Sequence, residues 1–463
     1  MRKEKLKTII LTLLIFSSVI LSVQIWILNP VWSERIGPKT FIENLFTAQE
    51  GLNINDTGAF DSLFSPRSFV FTYNDGRLFF NTTEQEGEEI RSLFNSSILS
   101  ALSQKESTEI NETEWQTMLK SNSIYADYGV AVSAKALSEF LGGRAEDTGV
   151  YSFDQAVIAF DQIGDASVIC FRNSAENKQI KISLPKNQEI REVYSRNSAS
   201  EKESYSYAFE INLDKKVTES QVQQSVIMDS YVLIPIEPVT MNTIRSKNIE
   251  FTEEGTEKVL ELFGYNPKIA RKFVESNGNV LYIDTSSTLK FYPENGTIEY
   301  TASKDGGIRI KGDGNLSSIA SGCGKLLDDI GKTFEIDPNV TLFINSPLIE
   351  NSENAYTITF DYLFNGNSIE QDSHSCEIVV ENGKIKSFVG VLVNYEFVAE
   401  TEKANALDAL EALYTTQGQD VLVIDELRTG YVKKEGSMEM QWIATVDGKI
   451  TVVGNDLRVA PTL

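Results

Sequence analysis

Histidine is almost missing from this chain: His374 is the only one in 463 residues. Nucleophilic triads built on imidazole, and zinc sites that need two or three histidines, are thereby reduced to what a single ring can do. It stands in QDSHSCEIVV, two residues before Cys376, on or near a predicted strand. Residues two apart on a strand share a face, so the pair is placed to touch, but no second and third ligand stands at short spacing. Cysteine is scarce too. Cys170, Cys323 and Cys376 are too few and too dispersed for a disulfide framework. One bridge, such as Cys323 with Cys376, is arithmetically open, and three small buried hydrophobes are the alternative. Basic residues are outnumbered, 42 Lys and Arg against 66 Asp and Glu, for a formal charge of −24. A body this acidic repels phosphate backbones, which excludes nucleic acid as a partner.

Sequence motifs for catalysis are also lacking. There is no G-x-S-x-G elbow, SGCGKLL lacks the spacing of a phosphate-binding loop, and no acidic run has calcium-loop spacing. Carboxylate pairs such as Glu253-Glu254 and Asp328-Asp329 read as solvated helix faces. N-x-S/T triplets at Asn81, Asn295 and Asn339 are no more than an Asn-rich chain gives by chance. The expectation is therefore a protein that is not an enzyme, with no catalytic, cofactor or metal site.

What the chain does have is an apolar start. Residues Ile9 to Leu28, IILTLLIFSSVILSVQIWIL, carry no charge and as a helix span about 30 Å, the thickness of a bilayer's hydrocarbon core. The run is longer than a secretory leader's, and it continues into WILNPVW, bulky where a signal peptidase needs small residues. An uncleaved anchor is expected over 9–28. Arg2, Lys3, Lys5 and Lys7 place the tail 1–8 in the cytoplasm, Trp26 and Trp32 bracket the far interface, and Asn29-Pro30 ends the helix. The bulk of the chain then lies outside the cytoplasm, tethered to the lipid bilayer. At 100° per residue Thr8, Thr12, Ser18 and Ser22 fall within an arc of about 120°, and Ser18 and Ser22 form a small-xxx-small pair. These four are the expected contact face toward another transmembrane helix.

Beyond the anchor the pattern is α+β. Antiparallel sheets with helices packed on one face are expected in three units: 31–245, a helix–hairpin module at 246–315, and a C-terminal unit at 316–463. Hairpins are expected at Asn74-Asp75-Gly76, Glu294-Asn295-Gly296, Asn365-Gly366, Asn382-Gly383 and Asp447-Gly448. Helices are expected at Glu88–Ser103, Val130–Gly143, Phe251–Gly264 with Thr252 as cap, Ser318–Phe334 and Lys403–Leu413, with a short helical piece in ARKFVESNG.

This pattern resembles the YycH/YycI regulators. The likeness is carried by a short basic start, one uncleaved helix, the hairpin VLYIDTSSTLKFYPENGTIEY and the segment YTITFDYLFNGNSIEQDSHSCEIVVENGKIKSF. A closing strand pair with Gly430, Tyr431, Met440 and Trp442 completes it. The family's last strand often has Pro before its Trp, where this chain has Gln441. Length and the large region before about 245 favour the YycH type over the shorter YycI type. The resemblance implies an extracytoplasmic membrane protein of Gram-positive bacteria. Such a protein would bind the cell-wall sensor histidine kinase (WalK/YycG) through its transmembrane helix and outer domain, with a sister YycI-type protein as a further partner. Two other readings compete: a ligand-binding or inhibitory module of the PepSY kind, and an envelope enzyme working with carboxylates alone.

Overall fold

The computed structural model describes residues 64–461 apart from 75, 82–84, 161–166, 186–191, 194–204, 212–224, 229–230, 352, 418–420, 435 and 447. The expected anchor at 9–28, with Thr8, Thr12, Ser18 and Ser22, lies outside them. Among the described residues no helix is long and apolar enough to cross a membrane.

Strands β1 (Ser68–Tyr73), β2 (Gly76–Asn81), β3 (Thr108–Ile110), β4 (Ser123–Ser133), β5 (Ser152–Phe160), β6 (Ser167–Asn173) and β7 (Lys178–Leu184) build an antiparallel sheet in the order β2-β1-β4-β5-β6-β7-β3. Alternate residues of its strands enter different cores. Phe69, Phe71, Ile124, Ala126 and Ile158 pack under helix α1 (Gln85–Leu102) through Ile90, Leu93, Phe94 and Ile98. Val70, Tyr125, Val157 and Cys170 pack on the other side under α2 (Glu112–Lys120), against Trp115 and Leu119. Helices on one face do not hold for this sheet: both faces are covered, which is why β1 reads as a continuous apolar run rather than an alternating one. A third helix, α3 (Ala134–Phe140), starts later than its sequence pattern implies. Val130 to Ser133 complete β4, and the Ser133 side chain caps the helix by accepting from the Ala136 N–H.

A connecting segment ties this unit to the rest. In it β8 (Tyr205–Tyr207) pairs with β10 (Leu233–Pro235). Tyr207 and Tyr231 fill the core beneath α2, while Ala208, Val232 and Ile234 enter the C-terminal core. Strands β9 (Ser225–Met228) and β11 (Val239–Asn248) belong to the C-terminal sheet.

The middle sheet is antiparallel. It consists of β12 (Arg271–Val274), β13 (Val280–Ile283), β14 (Ser287–Tyr292), β15 (Thr297–Ala302), β16 (Ile308–Arg309), β17 (Val340–Ile344), β18 (Ala355–Phe364), β20 (Cys376–Glu381) and β21 (Lys384–Val391). They run β12-β13-β14-β15-β21-β20-β18-β17, with β16 also on β21. Helices α4 (Glu253–Leu262) and α5 (Leu316–Thr333) share one core with this sheet. Thr252 caps α4 by accepting from the Gly255 N–H at 3.1 Å, and Glu253 and Glu254 sit in its first turn, where the helix dipole favours them. On α5 the spacing Ile319, Cys323, Leu326, Ile330 makes a stripe against Leu289, Phe360, Ile378 and Phe388.

ARKFVESNG is not helical. Arg271 to Val274 form β12, and the chain turns back at Gly278, φ +86°, with the Glu275 N–H donating to the Asn279 carbonyl at 2.9 Å. Ile269 and Ala270 stand at helical spacing from Phe273, and Ala270 from Val274, but Asn277 and Gly278 supply the turn chemistry that closes a hairpin instead.

In the C-terminal sheet β22 (Val393–Ala404) pairs with β11, β11 with β24 (Ser437–Val446), and β24 with β23 (Val421–Lys434) and β25 (Lys449–Val453). Strand β26 (Val459–Pro461) pairs with β25. Strand β19 (Asn367–Ile369) pairs with β18 and runs parallel to β23, joining the middle and C-terminal sheets. Tyr431 lies opposite Met440 and Thr429 opposite Trp442. Tyr431, Met440 and Trp442 share a core with Leu410 and Leu413 of α6 (Ala406–Gln417).

The strands that flank each of the five expected hairpin positions pair with one another. At Gly296 φ is +73°, and an added Cβ would stand 2.4 Å from the Leu392 carbonyl oxygen, while Leu392 N–H donates to the Gly296 carbonyl at 2.9 Å. Gly296→Ala is therefore expected to destabilise the chain by about 2 kcal/mol or more, through left-handed backbone strain and a clash that only backbone movement relieves. Urea unfolding followed by tryptophan fluorescence checks it; an unchanged midpoint would refute the constraint.

Candidate functional site at a charged junction

The N-terminal and middle units meet along β4 and α5. Ser133 N–H donates to the Leu348 carbonyl at 2.7 Å and Leu348 N–H to the Ala131 carbonyl at 2.9 Å. The Ser133 hydroxyl donates to Glu350 at 2.8 Å, and Asn315 donates to Glu139 of α3 at 2.9 Å.

Arg67, just before β1, is placed where the C-terminal unit also arrives. Its N–H donates to the Asp127 carbonyl at 2.6 Å, which fixes the backbone. The guanidinium lies over the Phe343 ring at 4.6 Å, donates to Asn345 Oδ1 at 3.4 Å and stands 3.7 Å from Glu426 of β23. Gly129, φ +69°, makes the room: a Cβ there would be 2.1 Å from Arg67 Nε.

From Arg67 the contacts branch. Asn345 donates to Asp361 of β18, whose carboxylate also accepts from the Ser375 N–H at 3.1 Å and meets His374 Nδ1 at 3.2 Å. In the other direction Glu426 meets Arg428 Nε at 3.3 Å, and Arg428 donates to Glu370 at 2.9 Å and to the Ser368 hydroxyl. Burial works to raise the Glu370 carboxyl, but Arg428 beside it outweighs that and holds it below the usual range. Burial likewise opposes the charge on Arg428, and Glu426 and Glu370 overcome it. Asp127 goes the other way. Burial lifts its carboxyl to about 6, against the pull of Arg67 and of the Gly129 N–H that donates to it at 2.8 Å.

This arrangement fixes geometry. His374 and Cys376 part company: the ring lies outside on Asp361, while Cys376 enters the core as β20 begins. Alternation does not relate them, because His374 precedes the strand. All three cysteines are free and buried; burial pushes the Cys323 thiol up to about 12 and raises Cys170 and Cys376 as well, far from any nucleophilic thiolate. Asp328 pairs with Lys332 and Asp329 with Lys325, each one helical turn away. An open cleft of about 440 Å³ is lined by Lys247, Glu335, Asp337, Asn394, Tyr395 and Glu396. Lys247 bonds Glu396 there at 3.2 Å, Asn394 accepts from the Asp337 N–H at 2.7 Å, and the Tyr395 hydroxyl accepts from Gln371 at 3.0 Å. Among the described residues no three His, Cys, Asp or Glu side chains cluster to hold a metal. The junction lay beyond sequence reading, which found His374 but not its partner.

The described residues form a mostly antiparallel α+β protein of three packed units that meet at a charged junction, with all three cysteines buried. Residues 4–201 match the family model of the YycH protein, N-terminal domain. The crystal structure of YycH from Bacillus subtilis is similar in fold, with a TM-score of 0.56 at 14% identity, covering 86% of this chain and 97% of that one. No curated protein matches. Residues 4–201 thus carry the likeness to the N-terminal domain of the YycH family, and the likeness to the solved YycH structure extends the shared fold over most of the chain.

The sign of the Asp127 effect is fixed by linkage. Its carboxyl titrates higher in the folded chain than unfolded, so the fold binds the extra proton between about pH 4 and 6, and stability falls as pH rises through that window. Asp127→Asn, which keeps the acceptor for Gly129, is expected to raise stability at pH 7.5 by roughly 1–3 kcal/mol and to change little at pH 4. Denaturant midpoints at the two pH values check it; equal effects at both would overturn the assignment.

Proposed function

We propose that this chain is a non-catalytic, membrane-anchored regulator. It binds a two-component sensor histidine kinase that controls cell-wall homeostasis, of the WalK/YycG kind, and modulates its activity. The observation that carries the reading is the extent of the family match. It begins at residue 4 and so takes in the twenty uncharged residues 9–28 together with the outer unit, as expected for an anchor retained with its domain rather than trimmed from it. The N-terminal tail is cytoplasmic in this proposal, and residues from about 31 onward lie outside. A sister YycI-type protein joins the same complex.

The transmembrane contact runs along Thr8, Thr12, Ser18 and Ser22. A photo-crosslinker at position 18 or 22 in cells is expected to capture the kinase's membrane helix. Replacing both serines, Ser18→Leu with Ser22→Leu, is expected to weaken association by about 1–2 kcal/mol, the scale of interhelical polar contacts. Association that is unchanged, measured by energy transfer between labelled chains in membranes, would remove this face from the mechanism.

A further inference from the structure

Strand β12 is an outer strand of the middle sheet. It pairs with β13 from Arg271↔Ile283 to Val274↔Val280, and no strand among the described residues pairs with its other side. The hairpin closes with the Glu275 N–H on the Asn279 carbonyl. Antiparallel alternation therefore turns the N–H and C=O of Lys272 and Val274 away from β13, toward the open edge.

All four residues of β12 are exposed. The edge puts apolar surface into water, with Ile269 53%, Phe273 51% and Val274 66% exposed. Lys268, Arg271 and Lys272 are interleaved with them, and none of the three has an ion-pair partner among the described residues. The cations fit the way natural edges avoid their own kind, since two copies would bring like charges together. They do not account for three exposed apolar side chains in the same stretch, which work against solubility and call for a cover.

We propose that the free edge of β12 is a docking strand for an acidic, extended polypeptide segment of a partner protein, which adds to the sheet by backbone pairing with Lys272 and Val274. The backbone supplies affinity, as in other strand-addition sites. Acidic side chains of the segment meet Lys268, Arg271 and Lys272, and its apolar side chains cover Phe273 and Val274. On a chain of formal charge −24 this basic edge selects its segment against a repulsive surround. An anionic lipid surface would satisfy the cations and the apolar groups, but it leaves the outward N–H and C=O groups without partners. The inference stands apart from the anchor and from the identity of any kinase.

The test uses the full chain in detergent micelles and a fluorescein-labelled, end-blocked Glu-Val-Glu-Val-Glu-Val-Glu peptide, read by anisotropy. The Lys-Val counterpart and phosphatidylglycerol vesicles serve as competing probes. Val274→Pro deletes an outward N–H without cutting the β12–β13 ladder, and Arg271→Glu with Lys272→Glu reverses the charge. Saturable binding of the acidic peptide, weakened roughly tenfold or more by each variant at an unchanged thermal midpoint, is the expected result. If Val274→Pro alone lowers the midpoint, the charge reversal decides. Absence of acidic-peptide binding, equal binding by the variants, equal binding of the Lys-Val peptide, or charge-dependent capture of vesicles in place of peptide would each overturn the proposal.

Discussion

The placing of Arg67 is the constraint on which the relation of the three units depends. A guanidinium carries five donors and cannot shed its charge, so wherever it is drawn out of water the surroundings must come to it. Here they come from far away in sequence: Phe343 and Asn345 from the end of β17, and Glu426 from β23. The same atoms then organise the next ring of contacts, Asp361 with His374 on one branch and Arg428 with Glu370 on the other. Such a network adds little net stability over well-packed apolar residues, because desolvation consumes most of the Coulombic gain. What it adds is register. A slip of one unit against another would take the half-buried Arg67 guanidinium away from Phe343, Asn345 and Glu426 together, so competing arrangements lose all three contacts at once.

The apolar contacts alone would not enforce this. The core under α1 runs on without a break into the core under α4 and α5, and an apolar seam is tolerant of small displacements. The directional bonds across it, from Ser133, Leu348 and Asn315, are few. Arg67 and its partners supply the remaining specificity at the third side. The room that Gly129 leaves is part of the same device, since any side chain there would displace the guanidinium.

How much of this could be read in advance follows from distance along the chain. Hairpins were legible because Asn-Gly and Asp-Gly turns are local chemistry, and α4 was legible because Thr252, two glutamates and an apolar face sit within a few turns. Val130–Ser133 deceived because four residues continuing a strand also fit the helical pattern of α3. Helix α2 escaped because its short amphipathic face is interrupted by polar residues; Trp115, Met118 and Leu119 are its only buried positions. ARKFVESNG went astray for want of a partner strand to compare it with. The junction was out of reach altogether. Asp361 lies thirteen residues before His374, and the two meet only because β18 and β20 pair with Phe360 opposite Cys376. The contact face assigned to Thr8, Thr12, Ser18 and Ser22 lies outside the described residues and rests on sequence periodicity.

The sheets divide into surfaces that are held shut and surfaces that are left open. The N-terminal sheet is packed on both faces, with α1 on one and α2 with Tyr207 and Tyr231 on the other, so it is committed to the fold. The middle sheet carries its helices on one face only. Its other face alternates polar residues such as Thr288, Lys290, Thr297 and Glu299 with partly exposed apolar ones, as a solvated antiparallel sheet does. A rigid junction matters most for a molecule built this way. If the units could swing, the open face and edge of the middle sheet would lose their fixed placement against the N-terminal sheet. The guanidinium at position 67, which touches side chains of both other units, is where that placement is set.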